Sequence, residues 1–253
     1  MNGRLDVLGL GPGPREWMTI EAEAILARAT DLVGYGPYID RLPRRDGQTR
    51  HASDNRDEIA RSRLALSLAA EGRDVVVVSG GDPGVFAMAA AIFEAVETGE
   101  PDWRALDIAV HPGVSAALAA AARLGAPLGH DFCIISLSDN LKPWSVIERR
   151  LRAAAEADFV MAFYNPASKA RPQRIHDAFA LLRQVKSGDT PVGFARAVGR
   201  PDEKLTLTTL AQADLSLVDM STLVLVGSSE TRGIDRADGG RWIYTPRSYG
   251  AGR

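Results

Sequence analysis

The chain has 253 residues, 45% of them hydrophobic and 25% charged, with a formal charge of −2 at pH 7. That balance suits one large domain or two small ones around a sizeable core, and it lacks the basic excess of a general nucleic-acid surface. The longest apolar stretches, 75–78 and 114–122, fall far short of the roughly 20 residues that span a bilayer, and the start shows no signal-peptide pattern, so a cytoplasmic protein is expected.

Apolar, β-branched runs alternate with helical patterns almost from end to end, which marks an α/β protein with largely parallel strands, at least seven of them. The first strand covers 5–10 and ends in the turn Gly11-Pro12-Gly13-Pro14. A helix is expected from Thr19, an N-cap with Glu21 and Glu23 in the favourable first turn, to Ala29, followed by a short strand over 31–35. Asn55 and Glu58 have capping-box spacing, and Ala60, Leu64 and Leu68 recur at helical spacing until Gly72 stops the helix. Residues 74–79 are the clearest strand. A turn at 80–84, a helix over 85–96, a strand over 106–110 and an alanine-rich helix over 114–124 come next. The segment 124–131, with Gly125, Pro127 and Gly129, is the expected hinge between two units. The alternation then restarts with a strand over 132–136, a helix from Pro143 to about 155, a strand over 159–164 and a helix over 172–182. Strands at 192–196 and 222–226 flank a polar segment containing Leu205 and Leu207, and 249–253 are expected to fray. Cys133, the single cysteine, sits in Phe132-Cys133-Ile134-Ile135 and reads as a buried small hydrophobe.

Three glycine turns each follow a strand: Gly9-Leu10-Gly11-Pro12-Gly13, Gly80-Gly81-Asp82-Pro83-Gly84 and Pro112-Gly113-Val114-Ser115. In an open α/β sheet ligands settle outside the carboxyl ends of strands, where glycine lets backbone approach closely. The first turn has Pro14 where a dinucleotide fingerprint needs its third glycine, and it lacks the Gly-Lys-Ser/Thr ending of a phosphate loop, so NAD and nucleoside triphosphates are set aside. Asp82 has two readings, a side chain that caps its own turn and part of a main-chain clasp for a cationic sulfonium, which favours carbonyl oxygens and negative charge.

Val7-Leu8-Gly9-Leu10-Gly11-Pro12-Gly13, Ser79-Gly80-Gly81-Asp82-Pro83-Gly84-Val85-Phe86, His111-Pro112-Gly113-Val114-Ser115-Ala116 and Phe163-Tyr164-Asn165-Pro166 resemble, in order and at compatible spacing, the motif set of the tetrapyrrole methylases. The resemblance implies two α/β domains with mixed, mostly parallel sheets and a donor site in the cleft between them. Domains over 1–113 and 114–246 with a tail at 247–253 are expected. S-adenosylmethionine is the implied methyl donor, with S-adenosylhomocysteine as product. The implied donor contacts are Pro12, Gly81, Asp82, Pro83, Phe86, Ser115, Ala116, Tyr164 and Asn165, with Ala195, Thr222 and Leu223 closing the adenosine side. Within the family, Ser136-Leu137-Ser138-Asp139-Asn140-Leu141-Lys142-Pro143-Trp144 and Gly34-Tyr35-Gly36-Pro37-Tyr38-Ile39-Asp40 resemble the branch that methylates C17 of precorrin-3B and contracts the ring to precorrin-4. Other branches act on neighbouring macrocycle carbons or on the cobalt-containing form. Uroporphyrinogen-methylating relatives carry an aspartate after the tyrosine of the second strand; this chain has Gly36 after Tyr35, so that acid–base assignment does not carry over. A homodimer is implied by the family alone.

Methyl transfer from a sulfonium to carbon needs alignment and exclusion of water more than a protein nucleophile, whereas ring contraction adds proton movements. Ser138, Asp139 and Lys142 are the candidate acid–base groups; the other reading of their loop is a cap for the helix at Pro143. Arg41, in the cluster with Arg44 and Arg45, and Arg196, with Arg200 beyond Gly199, are candidate clamps for macrocycle carboxylates or plain solvated charges. His111 is either a substrate contact or a hydrogen-bonded structural histidine. His51, His130 and His176 show no ligand spacing with one another or with Cys133, so no protein-bound metal is expected. A non-catalytic macrocycle carrier is the competing reading from another class.

Overall fold

The computed structural model describes residues 3–54, 57–168 and 171–248, and the chain divides into two compact units, Met1–Ala116 and Ala117–Arg253. The first unit runs β1 (Arg4–Gly9), α1 (Ile20–Arg28), β2 (Asp31–Tyr35), α2 (Gly36–Ile39), β3 (Thr49–Ser53), α3 (Glu58–Ala70), β4 (Asp74–Ser79), α4 (Met88–Thr98) and β5 (Asp107–His111). Its five strands form one parallel sheet in the order β3-β2-β4-β1-β5. Alternate residues of the strands supply two separate cores. Leu5, Val7, Val75 and Val77 pack with α3 and α4 on one face, while Leu8, Leu10, Val76 and Val78 pack with α1 on the other. A strand covered on both faces reads as a continuous apolar run, hence the four valines of β4, each worth about 1.5–3 kcal/mol when fully buried. From β1 the chain crosses to β2 on one side, and from β4 it crosses to β5 on the other, so the ends of β1 and β4 form a topological switch point.

The second unit contains α5 (Ala116–Leu124, beginning at the division), β6 (Gly125–Ala126), β7 (Phe132–Ser136), α6 (Trp144–Glu156), β8 (Val160–Tyr164), α7 (Arg174–Val185), β9 (Pro191–Arg196), β10 (Lys204–Thr209), β11 (Thr222–Val226), β12 (Arg232–Asp235) and β13 (Arg241–Tyr244). Its main sheet has the order β10-β9-β11-β8-β7, and here only β7 and β8 run parallel. Mixed, mostly parallel sheets were expected, and the antiparallel share of the mixture falls in this unit. No crossover helix links β9, β10 and β11, and strands joined without one pair antiparallel. α6 and α7 bury Ile147, Leu151, Phe179 and Leu182 on one face of this sheet. On the other face Gly193 leaves room for Leu124 of α5; a Cβ there would lie 2.6 Å from its Cδ1.

Several expectations need correction. The helix expected over 85–96 begins only at Met88, because Phe86 sits at φ +52°, which no right-handed helix accommodates. The segment 124–131 is not a hinge between the units: it lies inside the second, where Gly125 and Ala126 pair with Ile243 and Tyr244. Strands β3, β6, β10, β12 and β13 had not been anticipated. The capping pair at Asn55 and the tail over 249–253 lie outside the described residues. Thr19 does cap α1, accepting from Ala22 N at 3.0 Å.

Candidate functional site

The three glycine turns leave adjacent strands β4, β1 and β5 and are locked together, the first two backbone to backbone and the third through a side chain. Gly11 and Gly81 exchange a reciprocal pair of N–H to carbonyl bonds, each 3.1 Å, with both residues at positive φ. The Asp82 carboxylate accepts from Gly84 N at 2.8 Å with one oxygen and from Gly113 N at 3.0 Å with the other. It therefore closes its own turn and ties the second turn to the third. Close approach of the Gly81 carbonyl excludes side chains at Gly9 and Gly113, since a Cβ on them would meet its oxygen at 2.7 and 2.4 Å. Phe86, half exposed, and buried Ser115 flank this floor. No α-helix starts at the first turn: residues 15–17 form a short 3-10 turn and α1 waits until Ile20, so no helix N-terminus presents its amides to a phosphate there.

Arg41 lies behind the first turn, its guanidinium donating to the carbonyls of Leu10, Gly11 and Gly13, the last at 2.6 Å. Those bonds make it a support for the turn that carries Pro12. Beside it is a pocket of about 600 Å³, partly open solvent, lined by Leu10, Met18, Leu26, Arg41 and Leu42. Of the candidate site residues only Arg41 lines it. His111 is buried, with Nε2 2.7 Å from Asp6 and Nδ1 3.1 Å from Glu21. Asp6, an acid in an otherwise apolar strand, also receives Arg4 and Arg28. This network matches the structural reading of His111.

In the second unit the ends of parallel neighbours β7 and β8 carry a polar cluster. The Tyr164 hydroxyl accepts from Ala117 N at 2.9 Å, in the first turn of α5. Asn165, at φ +51°, donates through its amide to Ser136 Oγ at 3.0 Å, and Ser138 N donates to the same oxygen at 3.3 Å. Lys142 donates to the Ser138 carbonyl at 3.3 Å. Burial, and then the charge of Arg150, lowers the Lys142 pKa below the usual lysine value. Asp139 is embraced by Arg171 at 2.8 Å and Arg174 at 2.6 Å. Burial opposes its ionisation, but hydrogen bonds from Arg174 and Arg171 outweigh that and hold the carboxyl below the ordinary aspartate range. Ala195 and Leu223 are cross-strand partners and Thr222 is buried beside them, opposite Arg196. Arg196 is paired with Asp202 at 2.8 Å and Asp219 at 2.9 Å, so its guanidinium already grips two carboxylates of its own chain.

Sequence reasoning missed the two arginines on Asp139 and the network around Asp6. The second left a readable signal, because a charge inside the apolar run Leu5-Asp6-Val7-Leu8 demands buried partners. The first left none, the partners being 32 and 35 residues apart.

Glycine turns packed at a switch point, with no phosphate loop, define an α/β protein of the class whose ligand sites lie at the carboxyl ends of its strands. The family model of Tetrapyrrole (Corrin/Porphyrin) Methylases matches residues 4–214, and the chain belongs to that family. It is 55% identical over 249 residues to a precorrin-3B C(17)-methyltransferase from Sinorhizobium sp, covering 98% of each chain. It is 43% identical over 246 residues to a probable cobalt-factor III C(17)-methyltransferase from Salmonella typhimurium, covering 97% of this chain and 99% of the relative. The crystal structure of the methyltransferase CobJ superposes with a TM-score of 0.92 at 51% identity, over 96% of this chain and 100% of that one.

Proposed function

We propose that this protein transfers a methyl group from S-adenosylmethionine to C17 of precorrin-3B and contracts the ring, giving precorrin-4 in cobalamin biosynthesis. The observation that carries a donor site is the mutual locking of the three turns after β1, β4 and β5, a floor fixed in place by its own hydrogen bonds. A floor already rigid loses little freedom on binding. The choice of carbon rests on the end-to-end likeness to the Sinorhizobium enzyme.

S-adenosylmethionine supplies the electrophilic methyl. Pro12, Gly81, Asp82, Pro83, Phe86, Ser115 and Ala116 are assigned to holding it; Tyr164, Asn165, Ala195, Thr222 and Leu223 are the further contacts that the family resemblance implies. Carbonyl oxygens and the Asp82 carboxylate suit a sulfonium cation. Ser138, Asp139 and Lys142 are assigned to the proton movements of ring contraction: Lys142, with its lowered pKa, and Ser138 are fitted to donate a proton, while the two arginines that keep Asp139 ionised also weaken it as a base and suit it to holding charge in place. Arg41, Arg196 and His111 are assigned to structure, because each is committed to groups of its own chain. No protein-bound metal is assigned. The tetrapyrrole is the proposed partner, with neither nucleic acid nor membrane, in a cytoplasmic homodimer. Among the described residues no helix is long and apolar enough to cross a membrane.

The test is anaerobic incubation with radiolabelled S-adenosylmethionine and either precorrin-3B or cobalt-factor III, with mass spectrometry of the product. The expected result is one added methyl on precorrin-3B and a changed absorption spectrum. Label entering only the cobalt form would move the assignment to that substrate. Donor binding without label in either macrocycle would leave a carrier.

A further inference from the structure

We propose that Arg171, steadied by Asp139 and set beside Arg174, receives a carboxylate side chain of the macrocycle, a recognition site in place of the Arg41 and Arg196 clamps; it rests on the function proposed above. β7 and β8 are parallel neighbours, so the loop over 137–143 and the segment leading into α7 leave the same end of the sheet side by side. That end is where ligands of such sheets are read.

The two arginines differ in what they have left to offer. Arg174 bonds Asp139 through Nε and Nη2 and Asp177 through Nη1, and its guanidinium lies 4.8 Å from the Trp144 ring centre. Every edge of it is used. Arg171 touches Asp139 and the Asn140 side chain through Nη1 alone. Its Nε and Nη2, the edge that takes a carboxylate in two parallel bonds, have no acceptor among the described residues, and the side chain is 28% exposed. Asp139 therefore orients a fork whose open edge faces away from it.

Charge adds to the case. Lys142, partly buried on the same loop, donates to a carbonyl and has no carboxylate at ion-pair distance among the described residues. Lys142, Arg171 and Arg174 are thus set against Asp139 and the more exposed Asp177. A further anion completes the balance. The acetate and propionate groups of a corrin precursor are of the matching class, planar and twice oxygenated. The methionyl carboxylate of the donor has the same chemistry, and the experiment separates the two.

The measurements are the KM for precorrin-3B, equilibrium binding of precorrin-3B followed by absorbance, and the Kd of S-adenosylhomocysteine by calorimetry, for the wild type, Arg171→Ala and Arg171→Lys. Each protein is also assayed with the macrocycle after its acetates and propionates are converted to amides. For Arg171→Ala the KM and Kd of precorrin-3B should rise at least ten-fold, with S-adenosylhomocysteine affinity within two-fold of wild type and partial recovery in Arg171→Lys. The amide macrocycle should bind the wild type poorly, and Arg171→Ala should lose little further on it, which a merely structural role of the arginine does not produce. An unchanged precorrin-3B affinity, a parallel fall in S-adenosylhomocysteine affinity, or equal acid-over-amide preference in variant and wild type each overturns the proposal. Should Arg171→Ala fail to fold, Arg171→Lys and Arg171→Gln carry the same acid-against-amide comparison. A wild type that binds precorrin-3B without methylating it refutes the reaction and leaves the subsite to the binding arm; one that does not bind it overturns both.

Discussion

A methyl added at Gly113 would lie 2.4 Å from the Gly81 carbonyl oxygen and 2.9 Å from Gly9 Cα, and backbone on both sides leaves nothing flexible to yield. Gly113→Ala is therefore expected to push the second and third turns apart, stretching the Gly113 N to Asp82 bond, and to weaken S-adenosylhomocysteine binding at least ten-fold, about 1.4 kcal/mol. Gly36→Ala is the matched control, since a Cβ there meets nothing within 4 Å. Calorimetric titration of both variants checks this, and wild-type affinity in Gly113→Ala would mean that these turns are not the donor floor. At this scale the turns themselves were legible in the sequence, because close backbone approach at Gly9 and Gly113 and a positive φ at Gly81 favour glycine and leave their mark in it. The commitments of Arg41 and Arg196 were not. Their partners, Gly13 and Asp219, lie 28 and 23 residues away, and only the folded chain brings them within reach.

Elements buried on both faces announce themselves, and those that depend on a neighbour do not. Strands β2, β4 and β11 were readable with their ends because their apolar, β-branched runs are bounded by turns. β3 is polar and half exposed, β12 is exposed throughout, and β10 sits at a sheet edge, so their extended form comes from pairing with β2, β13 and β9. A tie between elements has the same character. Lys186, just past α7, is buried and bonds Asp158 at 2.9 Å; Asp158, at φ +56° before β8, also receives Ser229 N at 2.9 Å from beyond β11. Lys186→Met leaves Asp158 without its cation in a poorly hydrated place and is expected to lower stability by about 3 kcal/mol. Urea unfolding measures the loss. A midpoint unchanged from wild type would show that the three elements are held by apolar packing alone.

Over the whole molecule the titrating groups set two limits to stability, one in each direction of pH. On the acid side, burial disfavours the charged forms of Asp31, Asp139 and Asp158, yet His51 and Thr30, Arg174 and Arg171, and Ser229 and Lys186 respectively outweigh it and depress all three pKa values. The unfolded carboxylates titrate near about 3.9, so above that pH the stabilisation is fully present, and it drains away as the pH falls through the lower folded values. On the alkaline side, burial among Ile135 and its neighbours pushes the Cys133 thiol up to about 11. An unfolded thiol ionises near about 8.5, so between that value and the folded one the unfolded chain releases a proton that the folded chain keeps, and stability falls as the pH rises. Thermal midpoints measured from about pH 3 to about pH 11 should therefore form a dome. Asp31→Asn should flatten its acid limb while lowering the plateau, through the first unit. Cys133→Ala should flatten only the alkaline limb, through the second. If Cys133→Ala kept the full wild-type alkaline slope, the thiol would not be sheltered as its place between β7 and the core of the second unit requires, and the alkaline limit would have to come from lysine or tyrosine instead.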